Sequence, residues 1–245
     1  MDAIKLETIT HTQEGHEITY AYRKGQQDWF VDKLKLGVHN NPAWYLMHRR
    51  RLTESRMMRY ADFGANIGTT TFLPAKIGHK VLAVEAGPEN ALLLSQGVRR
   101  NEIQNNMTVA HWAAAETLGL INFYEHSAWG STKIHEDIAE FLSPSTVPAA
   151  TIEEILDMYG MTDVDVIKID IEGGELAALT NFEKIAEINP SVDLVIESNW
   201  ESSYSFGYQP QEIWQRMADM GFSTYLLEGR FLTPVTPDMP QIRLV

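Results

Sequence analysis

The 245-residue chain contains no cysteine. Disulfides, thiolate metal sites and cysteine nucleophiles are therefore excluded, and the composition fits a reducing, cytoplasmic setting. No apolar run approaches the ~18 residues of a membrane-spanning helix. The polar, acidic stretch MDAIKLETITHTQEGHE at the N-terminus does not read as a signal peptide. Cations are scarce. Twenty Lys and Arg stand against 33 Asp and Glu, a formal net charge of −13. Non-specific nucleic-acid binding works by neutralising phosphates, and a field of that sign disfavours it. Internal repeats and low-complexity tracts are absent too. What is present is ordinary for a globular protein, 44% hydrophobic and 22% charged residues, in a chain long enough for one large α/β domain.

The most informative stretch is YADFGANIGTTTF, Tyr60 to Phe72. It reads as a strand, Met58 to Phe63, then a tight turn, then a helix from about Thr69 to Ile77 with Pro74 in its first turns. Gly64 and Gly68 let a backbone or ligand come close, and Asn66 offers a short polar side chain. A helix starting there points free N–H groups back at the turn, a cradle for an anionic group at the carboxyl end of a strand. The dinucleotide fingerprint G-x-G-x-x-G carries a third glycine that G-A-N-I-G lacks. Asp62, two residues before the first glycine, would repel a pyrophosphate and suits an amine. An amine beside a carboxylate is an amino acid, so the methionine half of S-adenosylmethionine fits.

Further acids close further strands. The second strand, Lys80 to Glu85, ends in a carboxylate about 20 residues past the glycine turn, placed to accept ribose hydroxyls. A fourth strand, Val164 to Asp170, would set Asp170 and Glu172 beside the turn if it pairs with the first. Gly173-Gly174 turns the chain and Glu175 opens a helix. A fifth strand, Val192 to Glu197, puts Glu197 and Asn199 on the same rim. Strands alternating with helices make a parallel, doubly wound sheet.

D-F-G-A-N-I-G, V-E-A-G-P-E-N and I-K-I-D-I-E-G-G-E, in that order and each at a strand end, resemble the FkbM-type S-adenosylmethionine-dependent methyltransferases. The resemblance implies a Rossmann-like class I methyltransferase fold: an α/β, doubly wound, mostly parallel seven-stranded sheet with one antiparallel strand near the C-terminal edge. It implies S-adenosylmethionine as cofactor, held by Asp62, Gly64, Asn66, Gly68, Glu85 and Asp170. Trp112 and Ala113, at the end of a third strand from Met107 to Trp112, would wall the adenine, and Glu116 would reach its amine. The expected reaction is O-methylation of a small-molecule or sugar hydroxyl, with Asp170 and Glu172 as the acid/base pair. His126, Trp129, Ser131, Glu197 and Asn199 are candidates for the substrate side. No metal is assigned; one would need a third oxygen ligand such as Glu197, and spacing alone does not specify it. A nicotinamide-dependent oxidoreductase or epimerase, or a non-catalytic donor-binding subunit, are the alternatives. Nucleic-acid methylation usually brings an N-P-P-Y or D-P-P-Y stretch where this chain has D-I-E-G.

Residues 1–57 read as an N-terminal hairpin/helix extension or cap, and 58–245 as the methyltransferase domain. Alternation around Glu14-Gly15 suggests a hairpin over the sheet or the site. Pro42 to Arg59 reads as a helix with five arginines against one acid, Glu54: an anion-facing surface or a solvated face. Pro88 to Asn101 is a helix and Leu118 to Tyr124 a short strand. Ser143 to Pro148 reads as a linker, and Thr151 with Glu154 as a capping box. Pro210 starts a helix to about Met220. Glu228-Gly229-Arg230 turns a closing hairpin, and the proline-rich end after it reads as an edge.

Overall fold

The computed structural model describes residues 5–25, 29–37, 41–126, 129–133, 143–198, 200–228 and 231–234. The first element is a hairpin, β1 (Leu6–Gln13) and β2 (His16–Arg23). Glu14 and Gly15 both take positive φ, 47° and 80°, as a two-residue turn of this twist requires. Ile18, Tyr20 and Tyr22 alternate inward and are buried. The hairpin is a two-stranded sheet of its own. It joins the core on one face of the main sheet and is tied to the helices there: Tyr20 stacks on Phe72 at 5.5 Å, and Asn101 holds both backbone groups of Thr19 at 2.8 and 2.7 Å.

Two helices follow, α1 (Trp29–Lys35) and α2 (Pro42–Glu54). Asn41 caps α2 by accepting the Trp44 N–H at 2.9 Å, and Ser55, at φ 53°, ends it. The helix expected to reach Arg59 stops here because the chain must extend into the next strand. The central unit is β3 (Arg59–Phe63), α3 (Phe72–Ile77), β4 (Lys80–Val84), α4 (Pro88–Arg100) and β5 (Met107–Ala110). An insertion then builds a separate four-stranded sheet from β6 (Ala113–Ala114), β7 (Gly119–His126), β8 (Trp129–Ser131) and β9 (Ser145–Ala150), in the order β6-β9-β7-β8. The Thr151–Glu154 box caps α5 (Ile152–Met158). The chain continues through β10 (Val166–Ile169), α6 (Glu175–Ala178), α7 (Glu183–Ile188), β11 (Asp193–Ile196), α8 (Trp200–Ser205) and α9 (Pro210–Asp219) to a hairpin, β12 (Tyr225–Glu228) and β13 (Phe231–Pro234).

The main sheet is parallel, five-stranded and ordered β11-β10-β3-β4-β5. Side chains alternate between its faces. Tyr60, Val81, Ala83 and Val166 pack with α2, α3, α4 and the hairpin; Ala61, Phe63, Leu82, Ile167 and Ile169 pack with α5, α6, α7 and α9. Both faces are covered, as a doubly wound sheet demands. Among the described residues no helix is long and apolar enough to cross a membrane.

Three expectations need correction. The seven-stranded sheet is five-stranded among the described residues, because the last two strands pair with each other, Tyr225 opposite Pro234, and with no other strand. The proline-rich end after Pro234 and the turn residues Gly229-Arg230 lie outside the described residues. The stretch read as a linker is the strand β9. Its two prolines mislead, yet Pro148 sits in the ladder opposite Leu120. The Ala150 carbonyl accepts from Ala115 on the β6 side, so the nitrogen of Pro148, two residues earlier, faces the same side beyond the start of β6, where no ladder bond is lost. Three of the five arginines in the arginine-rich segment are held by partners within the chain, while Arg49 is exposed. Arg50 donates to the carbonyls of Asp165 and Ser191 at 2.7 and 2.9 Å, Arg56 to the Asp165 carboxylate at 2.8 Å, and Arg59 pairs with Asp163 at 2.7 Å. These partners stand at the amino ends of β10 and β11, so the arginines pin strands at the end away from the carboxyl rim.

Candidate active site

The chain turns one way from β3 to β4 and the other to β10, so the crevice at the carboxyl ends of β3 and β10 is the topological switch point. Phe63 is in register with Ile169, and the Asp170 N–H donates to the Phe63 carbonyl at 3.0 Å. Gly64 follows at φ 86°. A Cβ there would overlap the Asp170 carbonyl oxygen and lie 2.8 Å from its carbon. On the other side, the N–H groups of Gly64 and Ala65 both donate to the Val84 carbonyl at 3.0 Å. The turn is thus wedged between its two neighbouring strands.

Glu85, at the end of β4, is buried and accepts the N–H groups of Asn66 and Gly87, each at 2.7 Å. Burial pushes its carboxyl up to about 7, and those two bonds restrain the rise. The expected anion cradle needs revision on both counts. The Asn66 amide already faces the protein's own carboxylate. The helix starts at Phe72 rather than Thr69 and has six residues, because Gly68, Thr71 and Phe72 are held in successive tight turns.

Parity along the strands places Asp62 and Lys168 on one face of the sheet, in register with each other. Asp62 is fully buried. Its carboxylate accepts from the Thr70 hydroxyl and lies 3.3 Å from Lys168 Nζ. Lys168 Nζ also lies 3.0 Å from Asp170 Oδ2. The amine beside Asp62 is therefore a lysine of the same chain. Burial works against the charge of Lys168, but Asp170 and Asp62 outweigh it and its pKa is raised.

Beyond Asp170 the chain makes an unusual turn, with Glu172 at φ 59°. Glu175, which the sequence offered only as a helix start, shapes it. Its buried carboxylate accepts the N–H groups of Ile171 and Gly173 at 2.9 and 3.2 Å and the Tyr208 hydroxyl at 3.1 Å. Ser131 is buried and donates to the Glu172 carbonyl at 3.1 Å, and Ser202 of α8 donates to its carboxylate at 3.4 Å. The carboxylates of Asp170, Glu172 and Glu197 converge, each offering an oxygen within 4.8 Å of the others. Asp170 and Glu197 are hydrogen-bonded to each other. Burial raises Asp170, but Lys168 outweighs that and holds it below the usual carboxylate range. Burial and then the Asp170 charge push Glu197 well above it.

At the far end of the rim, half-buried Trp112 packs beside the second core and Ala113 is buried in the insertion sheet. Glu116 is exposed, in the bend after β6. His126 and Trp129 are opposite each other where β7 meets β8; their side chains lie outside the described residues, as does Asn199. The insertion also reaches α4. Glu125 of β7 accepts the N–H groups of Asn90 and Glu89 at 2.9 and 3.2 Å, and Arg23 of the hairpin pairs with it at 3.1 Å. Lys168, Thr70 and Glu125 were not singled out from the sequence. The signal for Lys168 was its parity: an even-numbered position between apolar odd ones, on the face of Asp62.

Taken along the rim, the strand ends carry Glu197 (β11), Asp170 (β10), the glycine turn (β3), Glu85 (β4) and Trp112 (β5). Neighbouring strands are about 4.8 Å apart, so Glu85 and Asp170 are roughly 10 Å apart across the turn. This donor set suits a cation that also carries hydroxyls. A carboxylate accepts from a ribose diol, and clustered carboxylates favour ammonium and sulfonium charge. S-adenosylmethionine has all three groups.

Residues 62–224 match the Methyltransferase FkbM domain family. Solved structures similar to this chain include a magnesium protoporphyrin IX methyltransferase from Synechocystis PCC 6803 with bound S-adenosylmethionine, 11% identical over 85% of this chain and 82% of that one, TM-score 0.45. An S-adenosylmethionine-dependent O-methyltransferase from Thermotoga maritima is 12% identical over 96% and 74%, TM-score 0.42. A 16S rRNA N2 methyltransferase from T. thermophilus is 20% identical over 44% of this chain and 27% of that one, TM-score 0.32. The chain spans well under half the length of that protein and of two from Pyrococcus horikoshii. No curated protein matches it. The family match extends over more than half of the sequence, and the chain belongs to the FkbM-domain family of S-adenosylmethionine-dependent methyltransferases.

Proposed function

We propose that this chain methylates a hydroxyl oxygen of a small-molecule or carbohydrate acceptor. The observation that supports it best is the acid-lined rim at the switch point. The carboxylates of Asp170, Glu172 and Glu197 converge there, Glu85 stands at the end of β4, and Lys168, the cation that meets Asp170 among the described residues, is already paired with Asp62 and Asp170. Such a rim attracts a cationic donor and repels a pyrophosphate, which weighs against the nicotinamide alternative. S-adenosylmethionine supplies a methyl group already activated on a sulfonium, so the protein's tasks are orientation, exclusion of water and removal of one proton.

In this reading Glu85 accepts the ribose hydroxyls and the Ala65–Gly68 turn lies against the donor. Trp112 and Ala113 wall the base. Asp170 stands next to the reacting atoms, with Glu172 and Glu197 on the acceptor side. The acceptor oxygen bonds to the methyl carbon as the carbon–sulfur bond breaks. The electron pair stays on sulfur, and the proton of the hydroxyl passes to Asp170. Ser131 of β8 and Ser202 of α8 border the acceptor's entry.

Calorimetry with S-adenosylmethionine, its demethylated product and NAD tests the donor class. We expect both methionine nucleosides to bind and NAD to give no heat; binding of NAD alone would overturn the reading. A labelled-methyl screen of alcohols and sugars, with hydrolysis to separate ethers from esters and amines, tests the acceptor class. Label found only on nitrogen would overturn O-methylation.

A further inference from the structure

Lys168 has an unusual position for a lysine. It stands on the central strand pair, its side chain is 7% exposed, and its neighbours along β10 are wholly apolar. An ammonium there is tolerable because two carboxylates meet it, Asp62 at 3.3 Å and Asp170 at 3.0 Å. The two partners are not equivalent. Asp62 is sealed in the interior and further held by Thr70, whereas Asp170 has 34% of its side chain exposed and opens onto the rim. On that rim Asp170 is hydrogen-bonded to Glu197, and Glu172 is close by. Two carboxyl groups in one hydrogen bond share a proton, and a third charge decides which of them keeps it. Lys168 Nζ touches the Asp170 carboxylate at 3.0 Å.

We propose that Lys168 is a positioning residue that makes Asp170 the ionised partner and Glu197 the protonated partner of this pair, and so selects Asp170 as the proton acceptor of the reaction. The proposal rests on the methyl-transfer reading for its purpose, but the charge assignment stands on the ligand-free protein alone. Asp62 is the counterweight: it neutralises the inner side of the ammonium, so the outer side orients Asp170 without leaving an unpaired buried charge. The groups facing the pair are Lys168 beside Asp170, Tyr60 from β3, and Glu172 and Glu175, from the following loop and helix, on the side of Glu197. Among the described residues Lys168 is the cation in contact with Asp170, so its removal should bring the Asp170 midpoint toward that of Glu197.

The test follows the side-chain carboxyl carbons of Asp170 and Glu197 by ¹³C NMR across pH in the ligand-free protein, with Asp170→Asn and Glu197→Gln for assignment. In the wild type Asp170 should titrate below Glu197. In Lys168→Met the Asp170 midpoint should rise by about 1–3 pH units, the effect of losing an opposite charge at contact. Lys168→Met leaves Asp62 unpaired in the interior, so the measurement is repeated in Lys168→Met/Asp62→Leu, which removes both buried charges together. An Asp170 midpoint unmoved in the folded variant, single or double, overturns the proposal, as does a wild type in which Glu197 ionises first. A merely structural lysine would lower the unfolding midpoint and leave the Asp170 titration where it was. Failure of S-adenosylmethionine to bind would sink the methyl-transfer reading and leave these titrations standing.

Discussion

Gly64 and Gly221 share a backbone φ of 86°, and a substitution to alanine strains both alike. Their surroundings differ. A Cβ at Gly221 meets nothing within 4 Å, whereas one at Gly64 overlaps the Asp170 carbonyl oxygen and comes 2.8 Å from its carbon. An unstrained carbon contact is about 3.5–4.0 Å. The left-handed conformation alone costs an alanine roughly 1–2 kcal/mol. Forcing atoms into a packed interior adds about 1–3 kcal/mol. The upper end applies at Gly64, since the obstacle is backbone held at Phe63 and cannot rotate away. Gly221→Ala should therefore cost about 1 kcal/mol and Gly64→Ala about 4 kcal/mol. Urea unfolding of both variants beside the wild type, at matched m-values, reads the difference. Gly64→Ala should also weaken S-adenosylmethionine binding, because relieving the overlap moves the turn away from Asp170, while Gly221→Ala should bind as wild type. Equal stability losses in the two variants would refute the idea that Gly64 is fixed by the approach of β10.

Glu85→Ala is expected to weaken donor binding at least tenfold, the loss of about 1.5–3 kcal/mol from a charged hydrogen bond; unchanged affinity by calorimetry would remove Glu85 from the ribose site. Its carboxyl titrates at about 7, and the ionised form is the acceptor. Donor affinity should rise with pH up to about 7 and then level off, and Glu85→Gln should flatten that slope. Asp170→Asn should abolish methyl transfer with the fold intact by circular dichroism, and a fully active variant would exclude Asp170 as the base. His79 is fully buried, and burial, then the nearby Arg51, lowers its pKa to about 4 while Nδ1 accepts the Met58 N–H at 2.9 Å. The unfolded chain protonates this group first, so its stabilisation, about 3 kcal/mol, is full above the ordinary 6.5 and is lost as pH falls toward 4. His79→Gln should remove that part of the slope in urea unfolding between those pH values, and an unchanged slope would count against it.

The main sheet was legible because each strand end carries its own punctuation. Phe63-Gly64, Val84-Glu85 and Ile169-Asp170 each join an apolar run to a polar turn, whereas the pairing of β10 with β3 was only a condition in the sequence and is supplied by the register. The capping box at Thr151 and the turn at Glu14-Gly15 were readable for the same local reason. What escaped depends on partners distant in sequence. β9 looks like a linker until β7 and β6 are beside it, since Pro148 is harmless only at an uncovered edge. The arginines of α2 and Arg56 look like a patch until Asp165 and Asp193 are brought to them. Asp62 was read as a ligand for an outside amine, and the strand register sets it beside an inside one, Lys168. Spacing finds a carboxylate; only register says which cation it meets.

The charge of the rim now has a different meaning from that of a glycine turn ahead of a helix. An anion site would leave turn amides free and place cations around them. Here the Asn66 and Gly87 amides are spent on Glu85, α3 begins late, and Lys168 is enclosed by two carboxylates. The acids avoid mutual repulsion by three separate means. Glu85 is buried and readily protonated, Asp170 is neutralised from beneath by Lys168, and Glu197 is driven toward its protonated form by burial and by Asp170. Without a ligand the rim thus stores fewer charges than it has carboxyl groups. A cation entering it favours the ionised form of each. Donor binding should therefore release protons, and the demethylated product, which lacks the sulfonium charge, should release fewer. Calorimetry of both ligands in buffers of different ionisation enthalpy measures that number, and equal proton release for the two would mean that the acidic rim does not sense the sulfonium.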